Sequence, residues 1–299
     1  MRPDPHKKGK NELVFGFDAY QSASKFPSTG WVPVLLPCGR CLACKMRRAK
    51  EWAIRATHEA QMHQDNCFLT LTYDDEHLPK DYSVSVRAIQ LFMKRLRKSI
   101  APQKVRYLAC GEYGSLNGRP HYHLCLFGYC PDDLIDTSGY GISKYYYSQK
   151  IHKLWPFGFH TIGELNEKSA AYVARYTVKK AAVLDERRED GRTPEFMTCS
   201  RKPGLGYEWF VKYWKDVYNY DVVISKNGSK SRPPKRYDAW LAEISPSDSA
   251  RVLSRRHDYS SAHPVNDDYQ RINTLTELAE IRSKQLHRTM EEVMNMDKD

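Results

Sequence analysis

The feature that most constrains this chain is a pair of segments, residues 104–112 and 121–129, joined by a loop carrying Gly114, Asn117, Gly118 and Pro120. Both segments read as strands, and the loop composition favours chain reversal, so an antiparallel hairpin is predicted. Successive side chains of a strand point to opposite faces. The hairpin therefore sorts its residues into two faces before any other part of the fold is known.

That sorting gives His121-Tyr122-His123 its meaning. Both imidazoles lie on one face, while Tyr122, Leu124 and Leu126 turn the other way into apolar packing. If Glu112 pairs with His121, then Cys110 pairs with His123. Directly opposed Cβ atoms are about 4.5–5.5 Å apart, so a carboxylate and two imidazoles share a face and can chelate one ion. Mixed ligands with open positions suit a divalent cation that must also hold a phosphate oxygen, with Mg2+ or Mn2+ the candidates. A non-haem iron site uses similar ligand types, and a His-x-His pair taken alone equally reads as a structural pair.

The flanking sequence supplies the rest of the sheet and its helices. Residues 47–63 contain neither Gly nor Pro and repeat Trp52, Ala53, Ala56 and Ala60 at helical spacing. A strand is expected at 67–73, an amphipathic helix at 84–100, a strand at 158–165 and a helix at 167–184, with 143–154 ambiguous. The order, roughly αβαββ(α)βα, predicts an α+β fold with a largely antiparallel central sheet flanked by helices, in the manner of an RNA-recognition fold. The expected organisation is a lead-in (1–30), a Cys-containing segment and helix (31–66), a core (67–185), an aromatic and basic accessory region (186–244), and a linker with a terminal helix (245–299). Within that last part, 245–264 reads as the linker and 275–294 as the helix.

The helix at 167–184 carries a second chemical signal. Tyr172 and Tyr176 are four residues apart and so share a face, with Lys179 one turn beyond. A phenol with a pKa near 10 is a poor nucleophile at neutral pH and needs a metal-polarised phosphate and nearby positive charge. Attack on a phosphodiester would leave a phosphotyrosine and a free hydroxyl. Because bond energy is kept in that linkage, rejoining needs no nucleotide cofactor, and a second tyrosine can attack the new junction. The bland alternative is two tyrosines that only pack the helix onto the sheet.

Composition narrows the partner. Lys and Arg outnumber Asp and Glu by 47 to 36, a formal charge of +11 that favours a polyanion. Basic residues cluster at 40–55, 87–106, 175–188 and 226–236 among tyrosines and tryptophans, a mixture that suits phosphate contacts and base stacking as well as solvated helix faces. Arg119, Arg175 and Lys180 are the candidate nucleic-acid contacts. No apolar run approaches the roughly 20 residues needed to span a bilayer, so no membrane partner is expected. The charged start without a following apolar stretch argues for a reducing cytoplasm rather than secretion.

Other signals are weaker. Cys38, Cys41 and Cys44 form C-x2-C-x2-C, which can supply three thiolates to a structural Zn2+, with Cys67, His58 or Cys199 as the fourth ligand; reduced thiols and a disulfide are the other readings. Cys110 and Cys125 read as small packed residues. Asp74-Asp75-Glu76 reads as a solvated turn or a neighbour of the metal, and the aromatics of 207–220 either pack a helix or stack bases.

Together these motifs resemble the HUH endonuclease superfamily, and within it the rolling-circle replication initiators of microviruses, the gokushovirus-like single-stranded DNA bacteriophages. Phe68-Leu69-Thr70-Leu71-Thr72-Tyr73 resembles the first strand motif. Gly111-Glu112-Tyr113-Gly114 with Arg119-Pro120-His121-Tyr122-His123 resembles the metal motif, and Tyr172-Val173-Ala174-Arg175-Tyr176 the paired-tyrosine helix. Tyrosines after the histidines match initiators, whereas relaxases place theirs before. The resemblance implies cleavage at a plus-strand origin, a 5′-phosphotyrosine, a 3′ end that primes synthesis and later circularisation, with Mg2+ or Mn2+ as cofactor. It implies Glu112, His121 and His123 as ligands, Tyr172 and Tyr176 as nucleophiles and Lys179 as a helper on the phosphate. No helicase motif is present, so a host helicase and polymerase in the bacterial cytoplasm are the implied partners, with oligomeric state left open. The rivals are a non-catalytic single-stranded nucleic-acid binder and a plasmid relaxase or tyrosine transposase.

Overall fold

Residues Asn66–Thr72 form strand β1, in which Cys67, Leu69 and Leu71 are buried and the intervening side chains are partly open. That alternation is the signature of a sheet with two chemically different faces. The computed structural model describes residues 2–3, 11–12, 39, 41–114, 117–138, 144–179, 190–263, 274–275 and 277–282, with the side chains of 2–3, 11–12 and 176–179 excepted. Six further strands join β1: β2 (Arg106–Tyr113), β3 (Pro120–Phe127), β4 (Leu134–Asp136), β5 (Tyr146–Ser148), β6 (His160–Gly163) and β7 (Phe196–Cys199). Their spatial order is β4-β5-β6-β1-β3-β2-β7, and every neighbouring pair is antiparallel.

Helices cover both faces of this sheet: α1 (Leu42–Ala60), α2 (Val86–Ser99), α3 (Gln149–Leu154), α4 (Glu167–Lys179), α5 (Tyr207–Tyr220), α6 (Lys235–Ile244) and α7 (Pro246–Ala262). On α2, Ile89, Phe92, Met93 and Leu96 recur at helical spacing and bury against Leu69, Leu71, Tyr122, Leu124 and Trp155. Full burial of each such side chain contributes about 1.5–3 kcal/mol. Trp155 also donates its indole N–H to the Thr72 carbonyl at 2.9 Å, which ties the end of α3 to the end of β1.

The opposite face is covered by α1 and α4, which pack against each other and bring Ala56, Ala170 and Val173 onto Leu108, Cys110, Cys125 and Phe127. A separate core forms where α5, α6 and α7 meet, around Phe210, Tyr218, Tyr237, Trp240 and Val252. His58 of α1 links the two bodies of packing: its ring stacks on Trp209 at 3.5 Å and hydrogen-bonds the Tyr237 hydroxyl at 2.9 Å.

The predicted α+β architecture stands, with corrections outside its centre. The stretch 245–264, expected to be a linker, is helix α7 from Pro246 to Ala262. Proline is tolerated in the first helical turn, where its missing N–H had no intrahelical partner, so Ser245-Pro246 opens a helix instead of breaking one. Arg256 of α7 then pairs with Asp221 and Asp238. Within the segment read as polar and broken, Phe196–Cys199 adds edge strand β7 beside β2. The ambiguous segment holds β5 followed by α3, and β4 and α6 are additions that the sequence reading does not contain. The terminal helix is seen at 274–275 and 277–282 and otherwise lies outside the described residues, as does the lead-in apart from the pairing of Arg2–Pro3 with Asn11–Glu12. Among the described residues, no helix is long and apolar enough to cross a membrane.

Candidate active site

The register of β2 and β3 brings the predicted ligands together. Glu112 pairs with His121 and Cys110 with His123, so one carboxylate and two imidazoles share the face beneath α4. Glu112 Oε1 lies 3.0 Å from His121 Nε2 and 2.6 Å from His123 Nε2. All three donor atoms fall within 4.8 Å of one another, the only such group of three among the described residues. Glu112 and His123 are each 2% exposed, which removes water as a competing partner.

The outer ring nitrogens are held as well. His121 Nδ1 lies 3.1 Å from the Arg119 carbonyl. A carbonyl only accepts, so Nδ1 carries the proton and Nε2 of neutral His121 presents a lone pair to Glu112. His123 Nδ1 lies 2.9 Å from Thr70 Oγ1, and Phe68 stacks on the same ring at 5.5 Å. Acceptors converging on one point fit a cation. Without one, a proton must stand between carboxylate and imidazole: burial would raise the Glu112 carboxyl, but His123 and His121 outweigh it and hold Glu112 well below the usual carboxylate range. Burial pushes His123 the other way, below the ordinary imidazole value, against the pull of Glu112. A divalent cation bound here would displace the proton that the pair shares. The donor chemistry therefore fits a metal ion.

Tyr172 reaches into this cluster from α4. Its hydroxyl donates to Glu112 Oε1 at 2.5 Å and lies 3.4 Å from His123 Nε2. Burial, then the negative charge and hydrogen bond of Glu112, raise the phenol well above its ordinary value. The guanidinium of Arg175 sits 5.3 Å over the Tyr172 ring and is itself lowered by burial. Arg119 stands at the rim, where it pairs with Asp75 at 2.5 Å and donates to the Tyr73 carbonyl.

Other sequence candidates divide clearly. Tyr176 and Lys179 lie on α4, but their side chains fall outside the described residues, as does all of Lys180. Cys38 also lies outside them, while Cys41 caps the start of α1 and Cys44 follows in its first turn. Two residues considered as a fourth zinc ligand are used elsewhere: His58 stacks on Trp209, and Cys67 is buried on the opposite face of the sheet, where its thiol donates to the Tyr129 carbonyl. Cys199 lies half-buried on β7. Cys110 and Cys125 are buried packing residues. Asp74 pairs with His77 and Asp75 with Arg119, outside the metal cluster. Phe210 and Tyr218 of the aromatic segment are core residues. Sequence reasoning did not single out Thr70 or Phe68 as supports for His123, although strand alternation already placed both on the face of the histidines.

Comparison with known proteins agrees with this geometry. The family model for the replication-associated protein ORF2 matches residues 66–181. The chain is 36% identical over 221 residues to replication-associated protein VP4 of Bdellovibrio phage phiMH2K, an alignment covering 70% of the chain and 68% of that relative. It is 37% identical over 220 residues to replication-associated protein ORF2 of Spiroplasma virus 4, covering 68% and 66% respectively. It is 32% identical over 247 residues to replication-associated protein ORF4 of Chlamydia phage 1, covering 79% and 59%. No solved structure matches the chain. The chain belongs to the replication-associated protein family of microvirus-like phages, a family of rolling-circle replication initiators.

Proposed function

We propose that this initiator is a metal-dependent nickase and strand-joining enzyme that opens the plus strand of its replicon through a tyrosine. The observation that carries the reading is the Tyr172 hydroxyl lying 2.5 Å from Glu112 Oε1, inside the only three-ligand cluster among the described residues. A tyrosine that only packed α4 onto the sheet would have no need to place its hydroxyl there.

Glu112, His121 and His123 hold a divalent cation, Mg2+ or Mn2+, which when bound would polarise the scissile phosphate. Arg119 and Lys180 hold the neighbouring phosphates of a single strand, and Lys179 supplies positive charge beside the reacting one. Arg175 supports Tyr172 through its ring. The Tyr172 oxygen attacks phosphorus, the P–O3′ bond breaks, and the leaving 3′ oxygen takes up a proton. The 5′ end stays joined to the protein as a phosphotyrosine, and the free 3′ hydroxyl primes synthesis. Tyr176, four residues on, attacks the regenerated junction so that the displaced strand can be closed. Origin unwinding and copying fall to a host helicase and polymerase, in the bacterial cytoplasm.

The test is incubation of the protein with circular single-stranded DNA of the encoding replicon in magnesium, manganese or EDTA, followed by denaturing electrophoresis. The expected result is a denaturation-resistant adduct that needs metal and both histidines and disappears when Tyr172 and Tyr176 are both changed to Phe. Tight binding with no adduct in either metal would instead mark a non-catalytic binder.

A further inference from the structure

The metal cluster occupies one half of its sheet face, and the rows that build it run on into the other half. Glu112 pairs with His121, His121 with Thr72, and the Thr72 N–H donates to the Phe159 carbonyl at 2.9 Å. The Thr72 hydroxyl donates to the same carbonyl at 3.3 Å, fixing the backbone of Phe159 beside β1. The next row is Cys110, His123, Thr70 and Thr161. On β6, His160 and Ile162 are buried while Thr161 is exposed; Ile162 packs into the α2 core, so Thr161 faces the side of the metal cluster. Alternation gives Phe159, two residues before Thr161, that same side. Its ring is 69% exposed, although an aromatic side chain gains most by burial.

Helices α1 and α4 make their main sheet contacts on β2, β3 and β7. The row through Phe159 therefore continues past the edge of their cover, and two strand spacings of about 4.8 Å put Phe159 roughly 10 Å from His121. We propose that Phe159, flanked by the hydroxyls of Thr161 and Thr72, is a stacking platform for a nucleobase of the single strand whose phosphate is cut. An exposed ring on a sheet face takes a base by its π-face without regard to identity, while neighbouring hydroxyls hydrogen-bond its edge or the sugar–phosphate. The net charge of +11 fits a polyanionic strand. Continuity with the catalytic rows fixes the occupant as a nucleotide near the scissile bond, and Phe159 is then a positioning residue for the reaction. This inference rests on the nickase reading for the location of that bond.

The experiment uses short single strands tiling the plus strand of the encoding replicon, with 2-aminopurine replacing single adenines. Fluorescence quenching and affinity are read in EDTA, and adduct formation is read after manganese is added to the same samples. Phe159→Ala and Phe159→Leu should each lose about 5- to 150-fold in affinity, the range for one base–aromatic stack, together with the quench at one or two adjacent positions. Phe159→Trp and Phe159→Tyr should keep both, and KM should rise in the Ala and Leu variants more than kcat falls. Parent-like affinity and quench in the Ala and Leu variants overturn the platform, and an adduct in those samples leaves the nickase reading intact. A Phe159-dependent quench without any adduct overturns the nickase reading alone. Failure of the parent to retain any strand overturns both.

Discussion

His123 is held on three sides, and each contact restricts a different freedom of the ring. Thr70 takes its Nδ1 at 2.9 Å, Phe68 stacks on its face, and Glu112 meets its Nε2. Outer hydrogen bonds of this kind fix the ring angle and the basicity of a ligand, and losing one costs about 10–100-fold in metal affinity. Thr70→Val keeps the shape of the side chain and removes the hydroxyl. The expected outcome is Mn2+ affinity lower by about 10–100-fold in isothermal titration, with the fold intact by circular dichroism. Equal affinity in parent and variant would show that the ring is oriented by packing alone. At this scale the ligands were legible in the sequence, because a two-residue period needs only the strand to be known. The support from Thr70 was less so, because it depends on which strand lies next to β3, and that strand comes about fifty residues earlier in the chain.

Among the elements, two junctions decide how the site is carried. At the first, Gly158 lies against the end of β1, where an added Cβ would stand 2.4 Å from the Asp74 nitrogen and 2.5 Å from the Thr72 oxygen. Both obstacles are backbone, so neither can swing aside. Gly158→Ala should destabilise the protein by roughly 1–3 kcal/mol in urea unfolding and displace the Phe159 segment from β1. An unchanged midpoint would mean that this loop is not seated on β1. The second junction is His58, which joins α1 to α5 and α6. Burial pushes its imidazole down to about 3, from an ordinary value of 6.5. Between those values the unfolded chain binds a proton that the folded chain does not, so stability is full above about pH 6.5 and falls as the pH drops toward 3. Over that window the loss is on the order of a few kcal/mol. His58→Gln, which cannot titrate, should flatten this part of the stability profile; equal acid sensitivity in parent and variant would place the proton-linked loss elsewhere. Neither junction was readable beforehand, since Gly158 and His58 owe their roles to neighbours distant in sequence.

For the whole molecule, the net charge of +11 and the open half of the sheet face act on the same partner. A single strand releases condensed counterions as its phosphates are neutralised, so log affinity should fall linearly with log salt at about 0.7 per phosphate. A footprint neutralising about five phosphates gives a slope near −3.5, measurable by fluorescence anisotropy. Arg119→Ala, at the rim of the cluster, should make the slope shallower by about 0.7. An affinity indifferent to salt would contradict binding through the phosphate backbone. Charge is additive along a chain and was therefore evident from composition. The surface on which it acts depends on how the helices cover the sheet.

The sequence by itself determined the α+β class, the hairpin and the sharing of one face by Glu112, His121 and His123, because strand alternation and turn chemistry are local. It also determined the pairing of tyrosines on one helix, a consequence of the 3.6-residue repeat. Only the tertiary structure decided that the helix lies over the hairpin with the Tyr172 hydroxyl against Glu112. It also decided that 246–262 is a helix packed on a second core, and that the rows of the metal cluster continue to Phe159. Those outcomes come from packing between segments far apart in the chain, where burial and long-range strand pairing outweigh local composition.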